Sequence, residues 1–230
     1  MARQQARSPD HDNVVNLFDY RRMPHDKRIL RVSPECDGLE LLYSNDNHPD
    51  KLFSLKVLCW ALRDDGEVVA MVPWLDRIMA CTELEDPLNG RWEGYRLPES
   101  QYMFEDAPAH KCTELQAAHE FFGDSAADTS VVQEIPDTIG THAVFTEDGF
   151  DSISLAEVVS WRVLGNGVMQ AMIADEDAVE RTPILPGDDC LVPANERADF
   201  CYFFQHAIAN KIKERDPEAL AAISLLNDSH

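Results

Sequence analysis

The chain has 230 residues, with 42 acidic and 20 basic side chains for a formal net charge of −22. Its 44% hydrophobic content supplies enough apolar surface to offset chain entropy, which excludes a disordered polyanion. At this length one large domain or two small ones are feasible, and so negative a body repels phosphate backbones, which argues against nucleic-acid binding.

The charge is unevenly placed. Residues 1–31 carry seven basic and four acidic groups, for +3, and the remainder carries 13 basic and 38 acidic, for −25. Residues 1–27 read as a flexible basic arm with one apolar island at 14–20, where Leu17, Phe18 and Tyr20 could dock on the body or on a second copy. Apolar runs at 29–32 and 39–43, around Cys36-Asp37-Gly38, predict two short strands about a turn.

A long apolar stretch, 52–75, is broken only by Arg63-Asp64-Asp65-Gly66-Glu67. Asp-Gly between Val-rich runs is a hairpin signal, because glycine supplies the positive φ of the turn. A helix over 52–63 is the rival reading, since Leu52, Leu55, Leu58, Cys59 and Leu62 keep helical spacing; the hairpin is preferred. Shifted by 101 residues, Trp60, Gly66, Ala70 and Met71 fall on Trp161, Gly167, Ala171 and Met172, with Asp-Gly matched by Asn-Gly. Each copy then runs on to a Leu/Val-Pro step, at Leu97-Pro98 and Val192-Pro193. An aromatic segment follows in each, at 102–104 and 200–204. This predicts a repeated hairpin–strand–helix unit.

Thr113-x-x-Gln116 is a capping-box pattern that opens a short helix running to Phe122 and ending at Gly123. Residues 125–139, small and Pro-containing, read as a linker. Phe200, Phe203, Phe204, Ala207 and Ile208 predict a helix over 196–214, and Asp216-Pro217 opens a second one. The expected architecture is therefore α+β. An arm at 1–27 precedes a first half at 28–124, a linker at 125–139 and a second half at 140–230 that ends in a helix pair.

Six scattered cysteines without a C-x-x-C pair, no signal peptide after Arg3 and Arg7, and no long apolar span predict a cytoplasmic chain in a reducing compartment with no membrane contact. No nucleophile elbow, phosphate loop or zinc-ligand spacing occurs. His110, Glu114, His119 and Glu120 form the densest grouping of candidate metal or acid–base residues, but His119 falls on the Leu115/Phe122 side and reads as core. No cofactor is implied. What stands out is Arg91-Trp92-Glu93-Gly94-Tyr95-Arg96, with Trp74 and Arg77 before it. Arginine among aromatics suits an anionic ligand or an acidic partner surface, so Arg77, Arg91, Trp92, Tyr95 and Arg96 are the candidate binding residues. The alternative to a binding role for these arginines is a core tryptophan with arginines that answer neighbouring carboxylates. The functional expectation is a non-catalytic, self-associating binding protein; the alternative is a small-molecule enzyme using carboxylates or His110 and His119.

Overall fold

The computed structural model describes residues 27–45, 52–83, 90–146, 152–175 and 183–205. The first part of the chain forms β1 (Ile29–Pro34), β2 (Glu40–Asn45), β3 (Leu52–Lys56), β4 (Cys59–Arg63), β5 (Val68–Trp74), β6 (Arg77–Ala80), β7 (Gly90–Arg96), β8 (Met103–Phe104) and α1 (Ala109–Phe122). The second forms β9 (Val131–Pro136), β10 (His142–Thr146), β11 (Ile153–Leu164), β12 (Met169–Ala174), β13 (Leu191–Pro193) and β14 (Phe200–Phe204). Three antiparallel sheets result, ordered β1-β4-β5-β6, β3-β2-β7-β8 and β13-β12-β11-β10-β14, with β9 added on β11.

The α+β expectation is overturned: the described chain is mostly β, with a single α-helix among the described residues. The misleading signal was the Phe200/Phe203/Phe204 stripe. Phe200–Phe204 is a strand paired with β10, and that pairing shifts register between Val144 and Phe145. A bulge of this kind adds one residue, so Phe200 and Phe203, three apart as on a helix, enter the same apolar cluster. Residues 206–214, the second expected helix and residues 1–26 of the N-terminal arm lie outside the described residues.

The preferred hairpin forms: β4 and β5 pair with Trp60 opposite Ala70, closed by Arg63 N–H donating to Glu67 and Gly66 N–H to Arg63. All five residues of β4 are buried because this sheet has a core on each face. Cys59 and Ala61 enter one cluster, Trp60 and Leu62 the other. A strand buried on both faces shows no polar alternation, which is why its sequence also fitted a helix. The strands at 29–34 and 40–45 form but do not pair with each other; β1 joins β4, and β2 joins β3 and β7.

One topology is used twice. Trp161 lies opposite Ala171 as Trp60 does opposite Ala70. His142 pairs with Glu157 as Glu40 does with Lys56. Both β2–β7 and β10–β14 shift register at the corresponding step. β3 and β4 together correspond to the single long β11. The correspondence departs from the sequence alignment past the hairpin, however. The counterpart of Phe200–Phe204 is Gly90–Arg96 and not the segment at 102–104, and the counterpart of β13 is β6. Residues 131–136, inside the segment read as a linker, form β9 and pair with β11.

The helix α1 begins earlier than its capping box suggests. Pro108 is the N-cap and Thr113 lies inside, its hydroxyl donating to the Ala109 carbonyl. It ends as expected at Gly123, whose φ of 70° suits glycine. Lys111 fastens α1 to β1, donating to Ser33 Oγ at 2.8 Å and Pro34 O at 2.9 Å. No helix among the described residues is long and apolar enough to cross a membrane, and none of the six cysteines is in a disulfide.

Candidate functional site

The arginine–aromatic island lies on β7, where it is largely structural. Tyr95 is buried, its ring 4.9 Å from Trp60 and 5.2 Å from Trp92, with its hydroxyl 2.8 Å from Cys81 Sγ. Burial, then the neighbouring thiol, pushes the Tyr95 phenol far above its usual range, and burial also raises Cys81. Both stay protonated. Arg96 stands opposite Glu40 in the β2–β7 ladder and donates to it at 2.9 Å, so it answers a carboxylate on the neighbouring strand. Arg91 lies opposite Ser44 in the ladder; its side chain is outside the described residues. Trp92, Tyr95 and Arg96 thus share β7, while Arg77 is on β6 and faces a different space.

That space is a cleft of about 350 Å³ where the halves meet. One wall comes from β5 and β6, the other from the β11–β12 turn and the short turn at Asn195–Glu196. Gly167 makes the approach close: with φ of 85°, its backbone packs so tightly that an added Cβ would come within 2.7 Å of Ile29 N and Arg28 Cγ. Four cations line the cleft: Lys27, Arg28, Arg63 and Arg77. Lys27 reaches Asp65 at 2.5 Å and Glu67 at 2.8 Å. The Arg63 side chain, only 4% exposed, is held by Glu83 and lies 3.6 Å from Glu67. Arg77 is only loosely paired, at 3.5 Å from Asp76, and Arg28 has no ion-pair partner among the described residues. Asn166 and Asn195 add amides; Asp76, Glu83 and Glu196 are the lining carboxylates.

Two of the four cations have uncharged counterparts in the second half. Arg63 corresponds to Leu164, since both donate their N–H across the hairpin turn, to Glu67 and Val168 respectively. Arg77 corresponds to Cys190, next to the strand that pairs with β12. Of the four cations lining the cleft, the sequence reading singled out Arg77 and not Lys27, Arg28 or Arg63. For Arg63 the usable signal was the Arg/Leu mismatch in the aligned hairpins; Arg28 carried none, because only β1 pairing brings it here.

The histidines do not assemble. His110 and His119 are nine residues apart on α1, two and a half turns, and so lie on opposite faces. His119 Nε2 is 3.5 Å from Asp124, and Glu114 accepts from Ser33 Oγ at 2.8 Å. No group of three His, Cys, Asp or Glu side chains able to hold a metal occurs among the described residues. Ser33 and Lys111 are spaced as a serine–lysine pair, but Ser33 is 2% exposed, so substrate has no route to it. No family model, curated protein or solved structure matches this chain.

Proposed function

We propose that this is a non-catalytic binding protein that takes an anionic small molecule in the cleft between its halves. The observation that carries the reading is the convergence of Arg28, Arg63, Arg77 and Lys27 on one cleft in a chain of net charge −22. Arg28 and Arg77 are the first contacts, because neither is closely paired. Arginine forks onto carboxylate or phosphate in two parallel hydrogen bonds. The volume lies at the lower end for small-ligand sites, which suits a compact polyanion. The −25 body suppresses encounter with large anions, whereas a small one is screened within about 8–10 Å at physiological salt.

Titration calorimetry with inorganic phosphate, sulfate and citrate tests the proposal. At least one should bind saturably, with the double variant Arg28→Ala/Arg77→Ala weakening it tenfold or more and Arg96→Ala leaving it unchanged. Silence towards all three anions, or loss of binding in Arg96→Ala alone, rejects the cleft.

A further inference from the structure

At three corresponding positions the second half carries smaller side chains than the first. Register fixes which residues correspond. Leu41 opposite Leu55 in the first half becomes Ala143 opposite Ala156 in the second. Leu39, which accepts from Val57 N–H, becomes Thr141, which accepts from Val158 N–H. Three leucines are thus replaced by two alanines and a threonine. In the first half those leucines share an apolar cluster with Leu115 of α1. Among the described residues no helix corresponds to α1 over the second half.

Ala156, one of the three smaller residues, lines an open cavity of about 830 Å³, whose walls also include Phe145, Val158, Ile173 and Ala174. A volume of 830 Å³ lies within the range of small-molecule sites. Thr141, fully buried next to the Gly140 wall, has a hydroxyl with no hydrogen-bond partner.

The charges at the cavity are already used. Asp137 accepts from Trp161 Nε1 and from the N–H groups of Ile139, Gly140 and Thr141. Arg197, the lining cation among the described residues, is bound by both oxygens of Asp199 and stacked 4.4 Å from the Phe145 ring centroid. Glu157 at the rim is exposed. Among the described residues an anion finds no free cation there and meets the Glu157 carboxylate.

We propose that this cavity is a second binding site, distinct from the cleft, for an uncharged and largely apolar small molecule. It does not depend on the anion reading, since it uses none of the cleft residues.

Fluorescence titration of the full chain with the neutral probe N-phenyl-1-naphthylamine tests it. Expected is saturable, roughly stoichiometric binding, weakened at least tenfold by Ala156→Leu and by Ala174→Leu and unchanged by Arg77→Ala. Broadening of the Phe145, Val158 and Ile173 amide signals by a neutral nitroxide probe reads the site in the unsubstituted chain. Failure of the full chain to bind the neutral probe overturns the proposal. So does binding that both leucine variants leave intact, or broadening centred elsewhere. Anion binding lost in Arg28→Ala/Arg77→Ala while probe binding persists separates the two sites.

Discussion

Glu35 and Asp137 do the same work at corresponding places. Each follows a proline, donates its own N–H to a main-chain carbonyl (Leu58 and Val159), and accepts from the indole of its half's central tryptophan, at 2.7 Å for Trp60 and 2.9 Å for Trp161. The remaining acceptor capacity closes the following turn, which reaches glycine at φ of 73° (Gly38) and 71° (Gly140). Removing either carboxylate leaves a fully buried indole N–H and several turn N–H groups without an acceptor. An unsatisfied buried donor costs about 1–3 kcal/mol. Glu35→Ala and Asp137→Ala are each expected to lower stability by about 3 kcal/mol in urea titrations, and Asp137→Asn, which keeps one acceptor oxygen, by roughly half that. A loss under about 1 kcal/mol would mean that water replaces the carboxylate. None of this was legible in the sequence, because Pro-Glu and Pro-Asp are ordinary dipeptides until the strands place them beside tryptophan. The site was legible only in part for the same reason. An arginine scarce in an acidic chain attracts notice, but sharing a cleft is decided by pairing between distant strands.

Hairpins are where sequence and structure agree best, since the turn residues and the paired strands are neighbours in the chain. Asp65-Gly66 and Asn166-Gly167 specify the same turn, with glycine φ of 86° and 85°. Their surroundings differ. A Cβ on Gly66 would meet nothing within 4 Å, whereas one on Gly167 would strike the backbone of Ile29 at 2.7 Å. Gly66→Ala is therefore expected to cost only the strain of a left-handed residue, about 1–2 kcal/mol. Gly167→Ala should cost more than twice as much, because β1 must also retreat, and should disturb the cleft that this contact shapes. Equal midpoint shifts for the two variants in thermal melts would show that the β1 contact contributes nothing. Other elements were misread where a tertiary feature altered the local period. The bulge in β14 gave a strand the spacing of a helix, and the two-sided burial of β4 removed its alternation. The link between halves hid β9, because a strand with only Ile135 of its six residues buried lacks an apolar run.

At the scale of the whole molecule, each half's core is completed by residues of the other. Val32, Cys59, Ala61, Val69 and Met71 of the first half belong to the cluster built around Trp161 and Phe203 of the second. Val144 and Phe204 of the second half belong in turn to the cluster around Leu41 and Trp60. The chain crosses between halves again where Phe203 N–H donates to the Leu75 carbonyl at 2.7 Å and where Gln133 grips the Val32 backbone at 3.0 and 2.7 Å. Burying a Val or Met side chain is worth about 2 kcal/mol, so Val32, Val69 and Met71 alone contribute on the order of 6 kcal/mol. That is comparable with the whole stability of a typical domain, about 5–15 kcal/mol. Separating the halves would therefore remove the stability of the first half while exposing an apolar sheet face, and the repeat in topology does not imply two folding units. Calorimetry of the full chain should give one transition with equal calorimetric and van't Hoff enthalpies. A fragment ending at residue 124 should fail to fold, binding hydrophobic dyes and aggregating through the face of β1, β4 and β5. Two resolved transitions, or a fragment with a cooperative melt of its own, would mean that each half closes its own core, and the shared clusters would then be contact between finished units rather than the basis of the fold.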